Sequence, residues 1–304
     1  MGLLNVNICG VEFKNPVITA SGTYGFGKDY GDFFPLERLG GISCKGTTLH
    51  RRLGNPPPRI AETPSGILNS VGLQNPGAEH FIREDLPWLL RQGVVVIANA
   101  AGSCMEDYVE NARLLAASGI HMLELNISCP NVREGGVSFG SSCQSVEKIV
   151  AAVKAVCGGT PLVVKLTPNV TSIAEIALAA QEAGADALSL INTITGMKID
   201  VATRRPILRN NTGGLSGPAV LPVAVRMVWE VRKAVKLPII GMGGVSRWQD
   251  AAELILAGAN AVQVGTACFT DPFAPIKIIE GLEEWVRAEG CDSISELSGQ
   301  VKPW

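Results

Sequence analysis

Histidine is scarce in this 304-residue chain: His50, His80 and His121 stand alone and far apart. The eight cysteines, Cys9, Cys44, Cys104, Cys129, Cys143, Cys157, Cys268 and Cys291, include no Cys-x-x-Cys pair. Nothing therefore indicates a zinc or iron–sulfur centre built from this chain alone. Basic excess is missing too, with 26 Lys and Arg against 28 Asp and Glu and a net charge of −2. That argues against a dedicated nucleic-acid binder and against a polybasic membrane contact. No apolar run reaches the ~18 residues of a membrane span. The longest, such as Val94–Ala98, have the length of buried strands. The start, Met1-Gly-Leu-Leu-Asn-Val6, lacks the basic and apolar parts of a signal peptide. Val6 also stands where a myristoylation motif places Ser or Thr. The expectation is a cytoplasmic protein without nucleic-acid or membrane partners.

What is present is a large apolar fraction, 46% hydrophobic against 18% charged, enough for a sizeable core and too apolar for disorder. Short runs rich in Val, Ile and Leu recur near Val17–Ala20, Gly41–Lys45, Val94–Ala98, Met122–Asn126, Leu162–Lys165, Ala187–Ile191, Ile239–Met242 and Ala261–Val264. They lack polar alternation, as strands buried on both faces do. Amphipathic stretches lie between them, at Glu106–Ser118, Val146–Cys157, Ala174–Ala183, Val220–Val235 and Gln249–Ala257. Gly119, Gly158, Gly184 and Gly258 each follow such a stretch, as C-terminal helix caps do. Gly184-Ala-Asp-Ala-Leu-Ser and Gly258-Ala-Asn-Ala-Val-Gln repeat one helix-exit, strand-entry pattern.

Eight strand–helix units over ~250 residues have the size of a (β/α)8 TIM barrel, with a doubly wound sheet as the alternative. No linker or low-complexity segment divides residues 1–304, so one domain is expected. Three stretches depart from the repeat. Val6–Phe13 reads as an N-terminal hairpin at the barrel bottom. Thr47–Pro76 and Gly196–Gly217 read as long loops on the catalytic face, a length usually tied to function or disorder.

Polar residues cluster where strands are expected to end: Ser21, Lys45, Asn99, Asn126, Lys165 and Asn192, with Gly241-Met-Gly-Gly-Val245 after the seventh strand and Gly265-Thr266 after the eighth. Any barrel places polar residues there, so single positions carry little weight. The glycines are more specific. Loops after strands seven and eight commonly hold a phosphate, and Gly lets backbone N–H groups approach it. Gly243, Gly244, Gly265 and Thr266 suit that role, whether the phosphate belongs to a substrate or a cofactor. The second specific stretch is Glu124-Leu-Asn-Ile-Ser-Cys-Pro-Asn131. It sets Cys129 just past the fourth strand, ahead of a glycine-containing segment, Val132–Ser142, that reads as a lid carrying a thiol. A buried structural cysteine is the plainer alternative, against which the flanking Asn, Ser and Pro argue.

The chain resembles the flavin-dependent dihydroorotate dehydrogenases over essentially its whole length. The stretches that carry the resemblance are Asn15-Pro-Val-Ile-Thr-Ala-Ser-Gly22, Lys45-Gly-Thr-Thr-Leu49, Gly54-Asn-Pro, Asn69-Ser-Val-Gly-Leu-Gln-Asn-Pro76, Asn126-Ile-Ser-Cys-Pro-Asn131, Val164-Lys-Leu-Thr-Pro168, Ile191-Asn-Thr193, Gly213-Gly-Leu-Ser-Gly-Pro218 and Gly241-Met-Gly-Gly244. Cys129 in the Asn-x-Ser-Cys-Pro-Asn motif is similar to the soluble class; the membrane-associated class has Ser there. Thr195-Gly-Met-Lys-Ile-Asp200 and Gly213–Gly217 resemble the NAD-linked subclass. Cys143 is a departure, since relatives often have Asp there, and Arg133-Glu134 varies in the lid.

The resemblance implies oxidation of dihydroorotate to orotate in pyrimidine biosynthesis, with FMN as hydride acceptor and Cys129 as the base. It implies FMN contacts from Ser21, Lys45, Gly46, Asn99, Asn126, Lys165, Ile191, Gly217, Gly243, Gly244, Gly265 and Thr266. It implies substrate contacts from Lys45, Asn69, Ser70, Val71, Gly72, Leu73, Asn126, Asn192 and Thr193, and no metal. It also implies a partner subunit with FAD and a 2Fe-2S cluster, docked on a homodimer of this chain to give a heterotetramer. The chain itself has no Gly-x-Gly-x-x-Gly opening a βαβ unit for NAD. The rival readings are a Schiff-base aldolase or isomerase using Lys165 or Lys45, a non-enzymatic scaffold, a flavin reductase of another pyrimidine, and a fumarate-dependent dihydroorotate dehydrogenase.

Overall fold

The computed structural model describes residues 2–127 and 139–304, with the backbone of 133–134 and 137–138. Eight parallel strands close into a barrel: β1 (Val17–Thr19), β2 (Gly41–Ser43), β3 (Val95–Ala100), β4 (Met122–Asn126), β5 (Leu162–Lys165), β6 (Ala187–Leu190), β7 (Ile239–Met242) and β8 (Ala261–Val264). Each pairs with the next, and β8 closes on β1 through Val262↔Val17 and Val264↔Thr19. All but Asn126 of these residues are buried, which is why the runs lack alternation. Every one of the eight expected strands is present within a few residues of its expected bounds.

Helices at Met105–Ala116, Cys143–Lys154, Ile173–Glu182, Leu221–Ala234 and Trp248–Ala257 stand close to the five amphipathic stretches. A further helix, Ala274–Ala288, packs against β1 and the Trp248–Ala257 helix. The four expected cap glycines all have positive φ, from 58° at Gly158 to 125° at Gly258.

The repeated helix-exit pattern has a physical cause. Asp186 Oδ2 accepts from Leu162 N at 2.7 Å, and Asn260 Oδ1 accepts from Ile239 N at 2.9 Å. Each side chain just before a strand satisfies the first N–H of the preceding strand. His121, just before β4, accepts through Nδ1 from Val96 N, of the second residue of β3, at 3.0 Å. Burial lowers its pKa, so His121 is a neutral structural acceptor.

Val6–Ile8 and Val11–Phe13 form the expected hairpin around Cys9 and Gly10, both at positive φ. The Cys9 thiol donates to Asp186 O at 3.2 Å, which fixes the hairpin at the end of the barrel where strands begin. The two long inserts are not structureless. Ile60–Thr63 and Gly66–Asn69 from the first join Ile194–Gly196 and Gly213–Ser216 in one antiparallel sheet. Ala61, Leu68 and Leu208 form a small apolar cluster of their own beneath it. Among the described residues, no helix is long and apolar enough to cross a membrane.

Candidate active site

A cavity of about 870 Å³ opens where the barrel strands end, between the barrel and the insert sheet. Every expected cofactor and substrate residue lines it. Cys129 lies outside the described residues.

The cavity floor is set by strand ends. Lys165, the last residue of β5, is 5% exposed; its ammonium donates to Ser21 Oγ at 3.3 Å and lies 3.9 Å from Glu124 Oε2. Lys45 lies beyond β2, because Cys44 N still bonds Ile97 O whereas Lys45 N turns to Gly25 O. Its ammonium has no carboxylate within ion-pair distance among the described residues. Burial, with a smaller contribution from Arg59, holds the Lys45 pKa below its ordinary value. A half-buried cation without a partner is a place for an anionic or carbonyl-bearing ligand.

One end of the cavity is built from glycine turns. Gly243 and Gly244 have φ of 122° and 83°, a region that L side chains rarely adopt. A Cβ at Gly244 would lie 2.8 Å from Leu221 N, so the turn abuts the start of the Leu221–Ala234 helix. Thr266 Oγ1 donates to Ser216 Oγ at 2.9 Å, which brings the turn after β8 against Gly217. Backbone N–H groups, a helix start and hydroxyls in one place suit a phosphate.

The other end is a ring of amides. Asn192 Nδ2 donates to Asn126 Oδ1 at 3.3 Å, and Asn192 Oδ1 accepts from Thr193 N at 2.8 Å. Asn69 Nδ2 reaches Gly214 O at 3.4 Å, tying the roof sheet together. Ser70, Val71, Gly72 and Leu73 continue from it, and Asn55 Nδ2 pins Ser70 O at 2.8 Å.

Sequence reasoning passed over several residues. Gln263, Thr167 and Asn169 also line the cavity. Glu124 lies beneath it, fully buried. A carboxylate and a carboxamide inside otherwise apolar strand runs, Met122–Asn126 and Ala261–Val264, were the available signal. Burial pushes Cys9 and Cys157 up to about 11 and Cys268 to about 12, and raises Cys44 further. Cys143 is half-buried at the start of its helix, whose first turn is capped by Ser142 Oγ accepting from Ser145 N. No group of His, Cys, Asp and Glu among the described residues could hold a metal.

The barrel and its cavity thus define a class: a (β/α)8 protein whose cavity has glycine turns at one end and two lysines on the floor. Within that class, the chain belongs to the dihydroorotate dehydrogenase family, whose profile matches residues 3–286. It is 52% identical over 303 residues to the dihydroorotate dehydrogenase B (NAD(+)) catalytic subunit of Bacteroides thetaiotaomicron, covering 99% of this chain and 100% of that one. It is 52% identical to the proteins of the same description from Petrotoga mobilis, over 97% of this chain and 98% of that one, and Anoxybacillus flavithermus, over 99% and 96%.

Proposed function

We propose that this chain is the FMN-bearing catalytic subunit of an NAD-linked dihydroorotate dehydrogenase, oxidising dihydroorotate to orotate in pyrimidine biosynthesis. The observation that carries this reading is the single cavity that joins the glycine turns, both lysines and the amide ring. Family membership and the names of the relatives support it.

The residues fit FMN. The glycine turns around Gly217, Gly243, Gly244, Gly265 and Thr266 suit its phosphate. The side-chain oxygens of Asn99 and Gln263 are buried without a partner among the described residues, and so await a donor. Lys165 sets a positive charge on the floor. When bound, FMN supplies the hydride acceptor for C6 of the substrate.

The chain's own groups supply the rest. Asn69, Asn126, Asn192 and Thr193 hold the substrate's carbonyls and ring N–H groups, and Lys45 takes its carboxylate. Donors on the carbonyl beside C5 stabilise the charge that develops as the C5 proton leaves. Cys129 is the base that takes this proton. An unperturbed thiol has a pKa of about 8.5, so the rate rises with pH until the thiol titrates in the complex.

Residues 1–304 act as one domain in the cytoplasm. Electrons leave through a partner subunit with FAD and a 2Fe-2S cluster, on a homodimer of this chain within a heterotetramer. The test is direct. The purified chain should release FMN on denaturation, form orotate from dihydroorotate, and reduce NAD only when the partner is added. Efficient NAD reduction by the chain alone would remove the partner requirement, and efficient fumarate turnover would assign the fumarate-dependent subclass. Cys129→Ala should keep FMN and bind orotate, with flavin reduction slowed by about 10²- to 10⁴-fold. Unchanged flavin reduction would sink the base assignment.

A further inference from the structure

Glu124 does not line the cavity, yet it organises the floor. It sits on β4 with no exposed surface. Its Oε2 accepts from Ser43 Oγ at 2.9 Å and from Asn99 Nδ2 at 2.6 Å. Its Oε1 accepts from Ser189 Oγ at 2.8 Å and from Gln263 Nε2 at 2.9 Å. With Lys165 near Oε2, donors from β2, β3, β5, β6 and β8 converge on one carboxylate. Burial pushes its pKa up. The Lys165 charge and the bonds from Ser189, Asn99 and Ser43 outweigh that, holding the carboxyl below its usual range.

A carboxylate accepts hydrogen bonds and cannot donate them. Asn99 and Gln263 must therefore turn their NH2 groups toward Glu124 and their carbonyl oxygens away. Those two oxygens, Asn99 Oδ1 and Gln263 Oε1, are the ones left without a partner among the described residues. Both residues line the cavity. A Cβ built on Gly46, another lining residue, would lie 2.9 Å from Asn99 Oδ1, so that oxygen lies against Gly46.

We propose that Glu124 is a positioning residue for the cofactor: it locks the amides of Asn99 and Gln263 so that their oxygens face a ring N–H of the bound flavin. This rests on the FMN reading above. Oxidised flavin carries one ring N–H, at N3, so the locked amides select for that group. The network also closes the barrel, a purely structural role that the test must separate from selection.

Apoprotein is titrated with FMN and with N3-methyl FMN, following flavin fluorescence. The two ligands share phosphate, ribityl chain and charge, and differ in the ring donor. In Glu124→Gln the new amide can donate as well as accept, so Asn99 or Gln263 is free to turn over. FMN binding should weaken by about tenfold, while the methyl analogue, which has no donor to lose, changes by less than about threefold. The preference for FMN over the analogue should thus shrink. Equal weakening of both ligands would reduce Glu124 to a structural role and overturn the proposal. So would a wild-type protein that binds both equally. If Glu124→Gln does not fold, Gln263→Met keeps the volume and removes one acceptor. It should compress the same preference, and an unchanged preference would overturn the proposal. Wild-type protein that binds neither flavin would instead overturn the FMN reading beneath it.

Discussion

The floor and the roof of the cavity are made by opposite means. The floor belongs to the main core: its strands are buried on both faces, and its polar groups converge on Glu124 and Lys165. The roof is a four-stranded sheet resting on a small apolar cluster, and every residue of Gly213–Ser216 is only partly buried. A buried charge network tolerates few arrangements, since each unmatched group costs the full desolvation penalty. A half-exposed sheet can shift, because water meets any group that loses its partner. Rigid electrostatics are thus placed under the proposed cofactor site, and an adjustable surface over the proposed substrate end.

The comparison breaks most visibly at Glu124. Glu124→Ala removes the acceptor of four side-chain donors and the carboxylate beside Lys165. It should cost about 3–5 kcal/mol of unfolding free energy, read by urea denaturation at neutral pH. The folded pKa of Glu124 is depressed, so this contribution is present above the unfolded carboxyl pKa and is lost as pH falls through the folded one. The wild-type advantage over the variant should therefore shrink only in acid. A variant as stable as wild type would show that the floor is not held by this network.

On the roof, Leu68→Ala opens a void in the small cluster. A local cost of about 3 kcal/mol is expected, with faster hydrogen exchange confined to Ile60–Asn69, Ile194–Gly196 and Gly213–Ser216. Faster exchange throughout β3–β6 would show that roof and floor are one cooperative unit.

Gly46 lies where the two parts meet, its absent Cβ 2.9 Å from Asn99 Oδ1 and 3.4 Å from Leu73 Cδ2. Gly46→Ala should cost about 1–2 kcal/mol and weaken FMN binding, because Asn99 cannot retreat while Glu124 holds it. Undiminished FMN binding would mean that Asn99 gives way.

The smallest effect concerns Lys45. Its depressed pKa means that the unfolded chain binds the proton more tightly. In apoprotein the penalty is fully present below the folded pKa. It disappears as pH rises through that value toward the ordinary 10.5. Lys45→Met should flatten this alkaline gain in a series of urea titrations. Parallel curves for the two proteins would show that Lys45 is solvated.

The sequence by itself determined the barrel. Runs apolar on both faces, glycine at helix exits and an Asp or Asn before the next strand are local signals, each answered by a local physical need. The site residues at strand ends were legible for the same reason: once the strands are known, the barrel brings their ends together. Tertiary structure alone decided the rest. Gly66–Asn69 pairs with Gly213–Ser216 across more than a hundred residues, and half-exposed strands of three or four residues leave no period to read. The Glu124 network joins six strands, and a lone carboxylate in an apolar run does not announce which distant hydroxyls and amides will meet it. Hydrophobic periodicity is written along the chain, whereas hydrogen-bond partnership between distant side chains exists only after the barrel has closed.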